Sequence, residues 1–89
     1  MDFEGEVRKV CNEIADMLVT KNKCYGNSAL EPVRCFSKAD AVEQLKVRLD
    51  DKISRLMRGT DNQEDTEMDM MGYLVLLKIA KKQQMIEMM

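Results

Sequence analysis

An all-α fold of three main helices, assembled as a homo-oligomer, is what this 89-residue chain predicts, and three observations carry the expectation. Nine methionines, one proline and long stretches free of glycine favour helices over strands and turns. Apolar residues recur at helical spacing in each long stretch, about 100° per residue. Asp40 with Glu43 at one end and Gly59 at the other bracket one such stretch with helix start and stop signals.

The first helix is expected over roughly residues 2 to 20. Phe3, Val7, Val10, Cys11, Ile14 and Leu18 share one side while Glu6, Lys9, Glu13 and Asp16 point elsewhere, the pattern of an amphipathic packing helix. Cys11 on that side is expected to be a buried thiol behaving as a small hydrophobe. Lys21, Asn22 and Lys23 suit a helix C-terminus, and Cys24 to Ser28 supplies turn chemistry. Residues 25 to 39 read as irregular, with one short turn opened by Ser28 and Glu31 and stopped before Pro32. A loop this long in a small domain is usually functional.

The second helix follows Asp40 and runs to about Arg58. The third is expected from Thr60 or Asp61 to about Gln84, and the short connection makes the two an antiparallel hairpin. From Met70 to Ala80 the third helix is apolar almost all round, which means burial on several sides. Three helices cannot easily cover it within one subunit, hence the expected homo-oligomer, dimeric or larger. The tail from Met85 to Met89 frays or joins the interface.

Residues 1–89 form a single domain, with 45% hydrophobic and 34% charged residues, ordinary globular composition. A net charge of −2 gives no general attraction to nucleic acid, so an anion site must come from local clustering. Three widely spaced cysteines without histidine argue against a disulfide framework or a common zinc site and suit a reducing cytoplasm. The order of a signal peptide is not found at the amino terminus. The most apolar run, Met70 to Leu77, falls far short of the ~20 residues a membrane helix needs. A soluble cytoplasmic protein with no membrane partner is expected.

Cations cluster between Arg34 and Arg58. In the second helix Val42, Leu45, Leu49, Ile53 and Leu56 fall on one face, with Arg48, Lys52 and Arg55 as a stripe along its flank. A cation beside a buried face is half desolvated, so an anion feels it more than on open surface. The same stripe could be solvated charge, and Asp51 with Arg55 is an ordinary i, i+4 pair. Lys23, Tyr25, Asn27 and Ser28 could form a polar loop that stacks on a base and hydrogen-bonds a phosphate or ribose; Tyr25 beside Gly26 could equally pack a turn. Arg34 and Lys38 complete the candidate ligand-binding set.

Asp61, Asp65 and Asp69 repeat at i, i+4 and i+8 in line with Tyr73 and Leu76. Oxygen ligands so spaced could hold Mg²⁺, which takes one or two protein carboxylates and leaves the rest to water and phosphate. Alternatively they are helix-start acids favoured by the macrodipole and paired with Arg48, Lys52 or Arg55. The chain has no histidine, which excludes histidine-based acid-base or nucleophilic machinery. Any catalysis would use carboxylates with a metal-bound water.

Taken together, KNKCYGNSAL, PVRCFSKAD, VRLDDKISRLMRG and EDTEMDMMGYLVLLKIA resemble the nucleotide-modification-associated helical domain of phage proteins, over roughly Lys21 to Ala80. That family is similar to the all-α nucleotide pyrophosphohydrolases of the MazG and dimeric dUTPase type. The resemblance implies a nucleotide ligand and a phage origin. In MazG-like enzymes a paired glutamate motif faces an acidic pair on another helix around Mg²⁺; Asp65 and Asp69 could supply the second half. For the first half, Glu13 and Asp16 lie away from the apolar stripe and Glu4 stands alone. The expectation is therefore a nucleotide-binding protein that sequesters a nucleotide-derived signal without cleaving it and needs no cofactor to bind. The alternatives are a Mg²⁺-dependent pyrophosphohydrolase and a helical interaction module.

Overall fold

The computed structural model describes residues 1–60, 62 and 64–89, and among these every regular element is a helix. The helices are α1 (Phe3–Tyr25), α2 (Ala41–Arg58) and α3 (Thr66–Glu87). None is long and apolar enough to cross a membrane.

Each boundary has a local cause. Asp2 opens α1, its carboxylate accepting from the Gly5 N–H at 3.1 Å. α1 runs five residues beyond the expected end, because Lys21 to Tyr25 contains neither glycine nor proline and continues the helix until Gly26 at φ 73°. Asp40 caps α2 as expected, accepting from the Glu43 N–H at 2.9 Å. At the other end Gly59 adopts φ 68°, and the Gly59 and Thr60 N–H groups donate to the Leu56 and Arg55 carbonyls at 3.3 and 3.1 Å. This is a Schellman closure, which needs a left-handed residue at that position.

α3 starts at Thr66 rather than Thr60 or Asp61 and reaches Glu87 rather than Gln84. Asp65 is its N-cap, accepting from the Met68 N–H at 3.0 Å, and so precedes the helix instead of standing inside it. Asp61, the first member of the expected acid stripe, lies outside the described residues. Between α1 and α2 a short turn forms, opened at Asn27 rather than by Ser28 and Glu31, with the Asn27 carbonyl accepting from the Leu30 and Glu31 N–H groups.

The core lies between α2 and α3: Val42, Leu45 and Ala80 are buried, with Tyr73, Leu76, Leu77, Ala29 and Leu30 packed around them. α1 meets α3 at Gly72, where a side-chain carbon would come within 2.8 Å of the Met17 Cε and 3.1 Å of the Leu18 Cδ2. The missing Cβ is what admits the two α1 side chains. Beyond Ile14, toward its N-terminus, α1 is exposed, Phe3, Val7 and Val10 included. The expected packing face is therefore covered only over its second half. Cys11 is likewise exposed rather than buried, and Cys11, Cys24 and Cys35 are all free thiols.

Candidate functional site

The last turn of α1, the turn after it, and the middles of α2 and α3 enclose a cleft of about 260 Å³. Lys21, Asn22 and Tyr25 come from α1, Asn27 and Ser28 from the turn, Arg48 from α2 and Tyr73 from α3. Four of the expected ligand residues, Tyr25, Asn27, Ser28 and Arg48, are thus brought to one place. The longer α1 is what delivers Tyr25 there: it ends the helix 78% exposed, its ring free for stacking. Asn22 donates to the Asn27 side-chain oxygen at 3.0 Å, tying the turn to the helix.

Arg48 lies with its guanidinium 6.0 Å from the centre of the Tyr73 ring, and among the described residues no carboxylate pairs with it. A cation held over an aromatic face keeps its charge available to an anion at its open edge.

The rest of the cationic stripe has a different fate. Lys52 is only 9% exposed, and its ammonium lies 3.0 Å from Glu64 and 3.1 Å from Asp69. Arg55 pairs with Asp51 at 3.1 Å, the ordinary i, i+4 contact, and hydrogen-bonds Glu64. Burial pulls the Lys52 ammonium toward neutrality, but hydrogen bonds and charge from Glu64 and Asp69 outweigh it and hold its pKa above the ordinary 10.5. The hydrogen bond from Lys52, opposed by burial and aided by Arg55, holds Glu64 below the ordinary 4.5. Lys52 and Arg55 are therefore part of an internal ion-pair cluster.

Lys23, Arg34 and Lys38 stay outside the cleft. Lys23 is exposed in the last turn of α1. The Lys38 ammonium donates to the Arg34 carbonyl at 3.1 Å, and Arg34 lies beside Asp40 in a separate depression.

The carboxylates proposed for a metal already have partners. Asp65 caps α3, and Asp69 pairs with Lys52 and, at 3.6 Å, with Lys21. Among the described residues no three His, Cys, Asp or Glu side chains converge as a metal site. Glu13 and Asp16 are exposed, and Glu4 pairs with Arg8 on the surface of α1. Bringing Mg²⁺ to Asp69 would mean displacing a buried ammonium.

Sequence reasoning missed Lys21, Asn22 and Tyr73 as cleft residues. Lys21 and Asn22 had been assigned to a helix end, yet each is three or four residues from Tyr25 and so on its side of the helix. Glu64 was missed because it was expected inside the third helix; it instead precedes the Asp65 cap, where its carboxylate meets Lys52 and Arg55. No known protein family, curated protein sequence or solved structure matches this chain.

Proposed function

We propose that this is a nucleotide-binding protein that holds its ligand without cleaving it. The observation carrying the reading is the meeting in one cleft of an exposed tyrosine ring, two asparagines, a serine hydroxyl and an arginine that no carboxylate among the described residues pairs with. Tyr25 stacks on the base, Asn27 and Ser28 hydrogen-bond base or ribose, and Arg48 takes a phosphate in a charge-assisted contact. A volume of about 260 Å³ lies just under the ~300 Å³ at which drug-sized pockets begin. The cleft therefore takes one nucleoside, with phosphates or a second nucleotide projecting from its mouth.

Binding without chemistry is supported by the engagement of Asp65, Asp69 and Glu64 with protein groups. In this reading the chain is a phage-type sequestering protein for a nucleotide-derived signal, linear or cyclic, of host immunity, acting in the host cytoplasm. It works as a homo-oligomer in which α2 and α3 form an antiparallel hairpin. The hairpin is supported by the order of contacts: Arg48 over Tyr73, Lys52 with Asp69, and Val42 and Leu45 clustered with Ala80.

The test is native mass spectrometry with linear and cyclic nucleotides plus Mg²⁺, followed by denaturation and analysis of what is released. Intact ligand, lost in Arg48→Ala, supports sequestration. A hydrolysed product would replace it with the Mg²⁺-dependent pyrophosphohydrolase, and no complex with any nucleotide would leave the helical interaction module.

A further inference from the structure

We propose that a second copy of this chain packs the N-terminal half of its α1 on the C-terminal half of α3 of the first, and receives the same contact in return about a two-fold axis. The proposal stands independently of the ligand. α1 and α3 touch through Met17 and Leu18 at Gly72 and through Lys21 at Asp69. On α1 the same stripe continues at helical spacing through Val10 and Val7 to Phe3, which is 71% exposed. On α3 the stripe through Gly72 continues through Val75 and Ile79 to Ile86, 70% exposed. Each helix thus carries its packing face past the point where the other stops covering it.

The open area is more than enough for what a partner removes. A compact 10.3 kDa chain exposes about 5,400 Å². This one exposes 7046 Å². Its radius of gyration is 14.8 Å, against about 12 Å for a compact chain of this length. The surplus, roughly 1,600 Å², is about twice what one partner loses in a standard interface.

Charge selects the occupant. Residues 2 to 16 carry five acids and two bases, whereas residues 78 to 87 carry three lysines and one acid. The α1 end of one copy therefore complements the α3 end of another, while α1 against α1 would oppose like charges. Two such contacts are identical by symmetry and close the assembly.

Sedimentation equilibrium of the purified protein, Val7→Glu and Ile79→Glu tests this, with circular dichroism reporting helix content. Both positions are exposed in the single chain, so helicity is expected to be unchanged. The native protein is expected at twice the chain mass, and each variant's dissociation constant is expected to rise about a hundredfold or more, the cost of an unpaired carboxylate in an apolar contact. Val33→Glu, an exposed apolar position in the loop, should leave the dimer intact. A native monomer or trimer overturns the proposal, as does a dimer that survives either glutamate or is lost in Val33→Glu.

Discussion

Arg48 and Lys52 stand one helical turn apart on α2, yet one faces a cleft and the other is sealed into an ion-pair cluster. Arg48 lies opposite Tyr73, which offers a ring face and no carboxylate. Lys52 lies opposite Asp69 and under Glu64, which between them neutralise it. A cation's role is decided by the element across from it: acids make a structural cation, an aromatic ring leaves one free for a ligand. The pattern of cations on one helix cannot separate the two.

Substituting each site separates them experimentally, and Lys52→Met should have the largest effect on folding. Removing the ammonium leaves Glu64 and Asp69 facing each other without their shared partner, and should cost about 2–4 kcal/mol in urea unfolding. Nucleotide affinity of the folded fraction should hardly change. A melt indistinguishable from native would break the comparison.

Arg48→Ala should do the reverse. Losing a charge-assisted phosphate contact is expected to weaken nucleotide binding by about 10- to 100-fold in isothermal titration, while the unfolding free energy falls by less than about 1 kcal/mol. Tyr25→Ala should weaken binding by about tenfold, through lost base stacking, with no change in stability beyond about 0.5 kcal/mol.

The cluster also sets the pH dependence. Glu64 has a lowered pKa, so its contribution is present above the ordinary 4.5 and is lost as pH falls through the lowered value. Lys52 has a raised one, so its contribution is present below 10.5 and is lost as pH rises through the raised value. Thermal melts should therefore show a plateau between these limits, and the acid limb should be shallower in Lys52→Met. The smallest effect belongs to Arg55→Ala, whose exposed pairs are expected to contribute less than about 1 kcal/mol.

Much of the fold was legible because its signals are local. Asp40 and Gly59 fixed both ends of α2, since a cap needs only a side-chain oxygen near two N–H groups and a closure needs only a left-handed residue. Lys23 and Tyr25 were harder, because Cys24 to Ser28 has the composition of a turn, although the helix runs on until Gly26. The cleft was legible in part: Tyr25, Asn27 and Ser28 are close in sequence, and Arg48 was found from its charge.

What the sequence determined by itself is the set of three helical segments, the ends of α2 and the supply of cations and aromatic rings. What only the tertiary structure decided is which cation is free. Cys11 and Val7 lie on a well-formed apolar face and are nevertheless exposed, because periodicity says which side of a helix is apolar and not whether another helix reaches it. Lys52 and Arg48 repeat that lesson in charge: the field at a side chain is the sum over neighbours brought together from distant parts of the chain, and those neighbours exist only once α3 has packed on α2.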